Sequence, residues 1–234
     1  MRILAVDTAT EICGVGLSTT GKVQQVELSF SHGGTHAKHL MEGVRSILDL
    51  AGISLADVDA YAVTRGPGSF TGLRIGISTV KGMAMAMGKP VAGVSSLAVL
   101  AHQAGKSEEL ICPMLDARRR EVYWAVYRWQ DDSLVAVLPE QVGPPAQVGD
   151  HITGPCRFIG NGARLYQKEI SGHLRHTACW MTGENARIRI GWVARLARRN
   201  LLEGISDDIR TFGPVYLRKS DAELNFGGRN QNAK

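Results

Sequence analysis

The sequence predicts an α/β protein of two related lobes, each built from a β-meander followed by helices. An apolar strand that ends in Asp7 begins the chain, and a similar strand that ends in Asp116 begins its second half. In both halves a short polar turn and a further strand follow the aspartate, which is the pattern of an internal repeat. With 234 residues, of which 44% are hydrophobic, the chain is long enough for two such units.

Composition limits the partners and the cellular compartment of the protein. The formal net charge of +5 permits contact with nucleic acid but is below the charge of a dedicated nucleic-acid binder. Four scattered cysteines, without paired metal-ligand spacing, favour reduced thiols in the cytosol. No signal-peptide core precedes the first strand, and no apolar run has the length of a membrane span. We therefore expect a cytoplasmic protein that does not contact a membrane.

The first half of the chain begins with three strands joined by short turns. The predicted strands are Ile3–Val6, Ile12–Leu17 and Val23–Leu28. Apolar residues then recur at helical spacing, which predicts an amphipathic helix over His36–Ala51 that Gly52 closes. The first half is therefore predicted to form a β-meander followed by a helix.

The central stretch of the chain, RGPGSFTGLRIG at residues 65–76, joins a predicted strand over Asp59–Thr64 to a predicted helix over Leu73–Met87. Glycine and proline end the strand, and Ser69 or Thr71 is the expected N-cap of the helix. A helix N-terminus that follows glycines can bind an anion. The Lys-Ser/Thr pair of a P-loop is missing here, so a purely structural turn is the other interpretation. Both remain open.

Glycine and methionine are unusually frequent in the helix over Leu73–Met87. Glycine destabilises a helix interior by roughly 1 kcal/mol relative to alanine, so close approach of another backbone is a reason to have it there. That backbone could belong to the same domain or to another subunit. In the second case the flexible methionine side chains of this helix could adapt to the partner's surface. The chain continues with a predicted strand over Pro90–Val94 and a helix over Leu97–Ala104, capped by Ser95 or Ser96.

The second half starts again with two strands and ends with a basic helix. The predictions are strands over Leu110–Asp116 and Val122–Tyr127, strands and loops in 131–160, a turn at 160–162, and a helix over Asn185–Leu202. The arginines of that helix form either a solvated face or a contact with RNA phosphate. We divide the chain into a first lobe at 1–105, a smaller second lobe at 106–212 and a C-terminal segment at 213–234. The polar end of that segment, residues 225–232, is expected to be flexible.

An aspartate at the first hairpin of a duplicated meander-and-helix unit is the arrangement of the actin/Hsp70/sugar-kinase fold. In that fold the two halves face each other across a cleft, and the first hairpins can contact phosphate. The candidate ligand contacts are Asp7, Thr8, Thr10 and Asp116. The first turn lacks the glycine that would let its backbone wrap a phosphate. Histidines 32, 36 and 39 lack the spacing of a metal motif, and no active site is evident.

Four stretches of the sequence together resemble the bacterial TsaB (YeaZ) family. They are ILAVDTAT at 3–10, RGPGSFTGLRIG at 65–76, DAR with EVY at 116–123, and PVYLR at 214–218. The resemblance covers nearly the whole chain. It implies an actin-like fold and a role in synthesis of N6-threonylcarbamoyladenosine on the adenosine beside the anticodon, in tRNAs that read codons beginning with A.

The resemblance implies a non-catalytic subunit that works with a catalytic paralogue, TsaD, and with the ATPase TsaE. The chain alone would bind no cofactor; ATP and a metal would be used by the partner subunits, and tRNA would be contacted only through the complex. TsaD holds its metal through two histidines on one helix, whereas the corresponding helix here offers only His102. The competing hypothesis is an actin-fold ATPase or kinase that acts on a small substrate through Asp7 and Asp116.

We expect the partner surface on the helices over 36–51 and 73–87. There the chain would bind TsaD or, in its absence, a second copy of itself. The predicted interface residues are His36, Leu40, Val44, Leu73, Gly76, Ile77, Val80, Met83 and Met87.

Overall fold

The protein is described here by a computed structural model that covers residues 1–20, 25–31 and 36–218. His32 and the polar end at 225–232, for which the sequence makes predictions, lie outside these residues. The strands are β1 (Arg2–Asp7), β2 (Cys13–Thr19), β3 (Gln25–Phe30), β4 (Ala60–Gly66), β5 (Val91–Ser95), β6 (Leu110–Asp116), β7 (Val122–Gln130), β8 (Ser133–Gly143), β9 (Cys156–Ile159) and β10 (Ala178–Trp180). The helices are α1 (His36–Ala51), α2 (Phe70–Met87), α3 (Ser96–Gln103), α4 (Pro145–Asp150), α5 (Asn161–Leu165), α6 (Gln167–Ser171) and α7 (Ile190–Leu202).

Within the described residues, ten strands form two five-stranded sheets with the same topology. The first sheet has the order β3-β2-β1-β4-β5, and the second has the order β8-β7-β6-β9-β10. In each sheet the first strand pairs antiparallel with the second and parallel with the fourth. Asp7 and Asp116 end the equivalent strands β1 and β6. The predicted two-lobed, duplicated α/β fold is therefore confirmed.

Helices cover both faces of the first sheet. Helices α1 and α2 pack on one face, and α7 packs on the other, where a Cβ on Gly14 or Gly16 of β2 would meet the Ile190 side chain. Helix α3 lies between the lobes and contacts strands of both sheets. The division of the chain at residue 105 assigned α7 to the second lobe. Its buried side chains, among them Val193 and Ala197, instead complete the core of the first lobe.

The observed ends of the helices reflect local capping. Helix α1 has the predicted bounds, whereas α2 begins at Phe70 because the Ser69 hydroxyl accepts a hydrogen bond from the Gly72 N–H at 3.2 Å. Helix α3 begins after Ser95, which accepts from the Ala98 N–H. Helix α7 starts five residues later than predicted, because a 3-10 turn at Gly183–Ala186 and an extended residue precede it.

Residues 160–162 do not form a simple turn. Gly160 has a φ of 111° and stands before the short helix α5, a conformation that favours glycine. The segment is therefore the junction of β9 and α5. None of the helices in the described part of the chain combines the length and the apolar character needed to cross a membrane.

Candidate functional site

A cleft between the two lobes contains a cavity of about 550 Å³, the size of a site for a small organic ligand. The turn after β1, the start of α2, the β6–β7 hairpin, α5 and the C-terminal segment all contribute to its wall. Its polar lining includes Thr10, Glu11, Ser69, Asp116, Arg118 and Arg164. A second cavity, of about 340 Å³, shares Thr10 and Glu11 with the first.

Two of the four predicted ligand contacts, Asp7 and Thr8, are used inside the first lobe. Asp7 is 1% exposed, and its Oδ1 accepts hydrogen bonds from the Thr64 hydroxyl at 2.5 Å and the Ala9 N–H at 3.0 Å. Thr8 is fully buried, and its hydroxyl donates to the Gly72 carbonyl oxygen at 2.7 Å. Neither side chain lines the cleft cavity. The prediction that they face a ligand is corrected, because both hold the turn after β1 in place.

That turn lies directly on the first half of α2. A Cβ on Gly68 or Gly72 would overlap the carbonyl oxygen of Ala9 or Thr8, respectively. A Cβ on Gly76 would overlap the Thr8 hydroxyl oxygen. We call Gly68, Gly72 and Gly76 the glycine bed of α2. The turn after β1 packs closely against these three glycines. The observed packing therefore favours a structural turn in the central stretch, and not an anion-binding site.

Most of the predicted interface residues are buried within the chain. Those that face the first sheet or its turn are Leu40, Val44, Leu73, Gly76, Ile77, Val80 and Met83. The interface prediction is wrong for these seven residues, because a side chain covered by its own sheet offers no surface to a partner. Met87 is half-buried. His36 is the first residue of α1, and its side chain is not among those that the structure describes. The outward side of the two helices instead carries Met41 and Met85, which are 52% and 65% exposed.

Thr10 and Asp116, the other two predicted contacts, do line the cleft. The Asp116 Oδ1 accepts a hydrogen bond from the Arg118 N–H at 3.0 Å, the same bond to the second following residue that Asp7 makes. The Asn161 side chain accepts from the Asp116 N–H at 3.0 Å and joins the hairpin to α5. The second hairpin therefore presents its carboxylate to the cleft, whereas the first buries its own.

The C-terminal segment crosses the cleft, which the sequence did not reveal. We call residues 214–218 the C-terminal strap. Its backbone donates a hydrogen bond of 2.7 Å to the end of β4, and the Tyr216 ring stacks on Phe70 at 4.4 Å between centroids. Arg218 then forms an ion pair of 2.8 Å with Glu121 of the second lobe. The strap thus links the start of α2 to the second hairpin.

His102, the histidine of α3, is part of an aromatic cluster. Its ring centroid lies 5.4 Å from that of Trp129 and 6.5 Å from that of Trp192. Burial, assisted by the charges of Arg199 and Arg195, lowers its pKa to about 4, so the imidazole is neutral at pH 7. Among the described residues, no three His, Cys, Asp or Glu side chains gather as a metal-binding group.

Two arginines of the predicted basic helix bind groups of the first lobe, and others pair with residues close to them in sequence. Arg189, which precedes α7, pairs with Glu27 at 3.1 Å. Arg198 donates to the backbone and the hydroxyl of Ser18 at 3.0 Å, and Arg199 pairs within its own helix. These bonds support a structural role for the basic helix.

Comparison with known proteins finds relatives along nearly the whole chain. A protein of Escherichia coli K12, named tRNA threonylcarbamoyladenosine biosynthesis protein TsaB, is 40% identical over 98% of this chain and 100% of its own length. The chain belongs to the TsaB family. A TsaB protein of Bacillus subtilis is 29% identical, with 97% of this chain and 98% of its own length aligned. The family model of TsaD, described as tRNA N6-adenosine threonylcarbamoyltransferase, matches residues 32–226.

Solved structures agree with this TsaB assignment. A Pseudomonas aeruginosa protein, described by its similarity to peptidase YeaZ, has a TM-score of 0.79 and 34% identity, covering 93% of this chain and 99% of that one. A structure described as YeaZ from the same organism has a TM-score of 0.78 and 33% identity, with 92% and 99% covered. The resemblance predicted from the four sequence stretches is confirmed.

Proposed function

We propose that the chain acts in the formation of N6-threonylcarbamoyladenosine on tRNA as a subunit that performs no chemistry itself. The pathway is supported by the name of its TsaB relatives. The single structural observation that carries the non-catalytic role is the packing of Thr8 and Ala9 on the glycine bed of α2. In an actin-like enzyme the first turn opens its backbone towards a phosphate. Here that turn is occupied by contacts with its own helix. The same proposal implies a cytoplasmic location.

A peptidase activity, which the description of the Pseudomonas protein suggests, has less support. Ser69 is the serine of the central stretch, and its hydroxyl caps α2 by accepting the Gly72 N–H at 3.2 Å. A nucleophilic serine needs a general base within hydrogen-bond reach. The role of Ser69 as a helix cap explains its presence without catalysis.

The proposed partner is a TsaD-type catalytic subunit, which would bind the outward side of α1 and α2. The TsaD family model matches most of this chain, so the two subunits would share a fold and could pair through equivalent helices. Met41 and Met85 supply exposed apolar area there, and Gly82 has open space beside it. A second copy of the chain would occupy this surface when the partner is absent. A TsaE-type ATPase would join the complex, ATP and a metal would be bound by the partners, and tRNA would be reached only through the assembly.

Reconstitution tests the proposed function. A TsaD-type subunit, a TsaE-type ATPase, threonylcarbamoyl-AMP and an unmodified tRNA transcript are incubated with or without the chain, and the modified nucleoside is quantified by chromatography. We expect modification only when the chain is present, and none from the chain alone. Undiminished modification without the chain would refute the proposal.

A matched pair of variants tests the partner surface. Met85→Glu places a charge on the exposed side of α2, whereas Leu202→Glu places one at the end of α7, where the side chain is 71% exposed. We expect Met85→Glu to weaken association with the TsaD-type subunit at least about tenfold, because a charge would be desolvated there. Leu202→Glu should bind as the parent does. Equal affinities of both variants would exclude this surface.

The cleft supports a second candidate, an ATPase or kinase that acts on a small substrate. Its volume of about 550 Å³ suits such a substrate, and Thr10 and Asp116 line it. Titration calorimetry of the chain alone with ATP separates the two candidates. Our proposal expects no low-micromolar binding, and such binding with turnover would favour the kinase.

A further inference from the structure

The tip of the β6–β7 hairpin has an unusual backbone. Arg118, Arg119 and Arg120 have φ values of 63°, 53° and 59°, so three consecutive residues with side chains are left-handed. Hydrogen bonds of 3.0 Å fix the tip: Ala117 N–H donates to the Glu121 carbonyl, and Glu121 N–H donates to the Arg118 carbonyl. We call residues 118–120 the arginine tip.

Local conformational preference does not explain arginine at these positions. Left-handed backbone is adopted readily by glycine and tolerated by asparagine or aspartate, and other residues there are strained. Strain of this kind gathers at functional sites, where the side chain rather than the backbone is what is needed. The tip therefore carries three arginines at positions where glycine or asparagine would adopt the observed backbone with less strain.

Two guanidinium groups of the tip, those of Arg118 and Arg120, are exposed to solvent. The Arg118 and Arg120 side chains are 78% and 84% exposed. Within the described residues, Arg118 pairs with Asp116 at 3.9 Å and Arg120 pairs with Glu169 at 3.6 Å. Ion pairs as exposed and as long as these contribute little. The tip thus differs from the arginines around α7, whose shorter bonds tie them to the first lobe.

We propose that the arginine tip binds phosphate groups of an RNA backbone. This inference rests on the proposed function, which makes tRNA the substrate of the assembly. Guanidinium groups recognise phosphate through paired N–H donors. Arg118 and Arg164 line the cleft cavity, so the basic surface continues from the tip along the cleft rim. Glu11 and Asp116 also line this cavity, so the RNA backbone would lie along the arginine side of the cleft and away from these two carboxylates.

The left-handed backbone allows a variant that removes the charge without endangering the fold. Asparagine tolerates these φ values, so the double variant Arg118→Asn/Arg120→Asn should melt at the same temperature as the parent or higher. Arg118→Lys/Arg120→Lys keeps the charge and the strained backbone. Arg128→Gln/Arg210→Gln removes two exposed arginines elsewhere in the described chain and is the charge-matched control.

The measurement is binding of a fluorescently labelled tRNA transcript to the complex with the TsaD-type subunit, by anisotropy, between 50 and 250 mM salt. The slope of log K against log salt is negative, and each lost phosphate contact should reduce its magnitude by about 0.7–0.9. The magnitude of the slope should therefore fall by about 1.5 in the asparagine variant, and its affinity at low salt should fall about tenfold. The lysine variant should keep the slope, and the control variant should retain both slope and affinity.

The outcomes separate this inference from the proposed function. If the parent complex binds and modifies tRNA and the asparagine variant has the same slope, the inference is wrong and the function stands. If the asparagine variant instead loses affinity for the TsaD-type subunit with RNA binding unchanged, the tip contacts an acidic protein surface, which also overturns the inference. If the parent complex neither binds nor modifies tRNA, both fail.

Discussion

Replacement of Gly76 by alanine should destabilise the isolated chain, although alanine is the better helix former. Gly76 lies inside α2, and a Cβ there would come within 3.0 Å of the Thr8 hydroxyl oxygen, a distance that real Cβ atoms essentially never show. Thr8 cannot easily move, because it is fully buried and its hydroxyl bonds to the Gly72 carbonyl at 2.7 Å. The substitution therefore pushes the turn after β1 away from the helix.

Two opposing terms set the size of the effect. The gain in helix propensity is roughly 0.8–1 kcal/mol. Overpacking of a well-packed site costs about 1–3 kcal/mol, and loss of the Thr8 hydrogen bond adds about 1 kcal/mol. The expected net loss in the free energy of unfolding is about 1–3 kcal/mol, or a fall in Tm of roughly 3–9 °C for a chain of this size.

The same helix provides the control. Gly82 is exposed and has no heavy atom within 4 Å of an added Cβ, so Gly82→Ala should raise stability by about 0.5–1 kcal/mol. Both variants are compared by urea unfolding and calorimetry. In a double-mutant cycle, Thr8→Ala should restore at least about 1 kcal/mol to Gly76→Ala, because it removes the clashing oxygen. The reasoning fails if Gly76→Ala is as stable as Gly82→Ala, or if Thr8→Ala brings no rescue.

Three further predictions concern other parts of the molecule. The His102 pKa is about 4 in the folded chain against 6.5 ordinarily, so the unfolded chain takes up the proton first and stability falls as pH drops below 6.5. Urea unfolding should show a loss of about 1 kcal/mol at pH 5.5 relative to pH 7.5, after allowance for partial exposure, and His102→Phe should abolish it. Cys179 should be the one thiol that reacts readily with Ellman's reagent at pH 8 in the folded chain, because the other three cysteines are buried. For Cys13, burial and a neighbouring carboxylate also raise the thiol pKa to about 11. Rapid reaction of a second thiol would contradict this prediction. Arg218→Ala should lower the free energy of unfolding by about 1–2 kcal/mol by breaking the pair with Glu121 across the cleft, and the loss should be smaller in a Glu121→Ala background, where that pair is already absent.

Much of the fold follows from patterns that are local in the sequence. The apolar period and the closing glycine predict α1 with its observed bounds, and the repeat of an aspartate at the end of β1 and β6 predicts the shared topology of the two sheets. Capping by Ser69 and Ser95 was also predictable, since a serine before an apolar run is a local signal. The predicted start of α7 is five residues too early, because the arginines near its N-terminus give no capping signal that would mark where the helix begins.

The candidate site was less predictable, because its contacts join distant parts of the chain. A stripe of small and apolar residues on α2 gives the same sequence pattern whether its own sheet or another subunit covers it. The pattern therefore predicts a partner surface on the face that the first sheet in fact buries. The pairing of Thr8 with Gly72 and of Arg218 with Glu121 spans 64 and 97 residues, respectively. The strained arginine tip was likewise invisible, since arginine has no preference for left-handed backbone.

The position of α7 affects how the protein is made. The first sheet is translated within the first 95 residues, but one of its faces is covered by a helix that ends at Leu202. Ribosomes add about 5–20 residues each second, so the nascent first lobe waits roughly 5–20 s with a side of its sheet open to solvent. During that interval the growing chain presents an apolar surface to chaperones and to neighbouring nascent chains. Synthesis of the C-terminal half is therefore a step in folding of the N-terminal half.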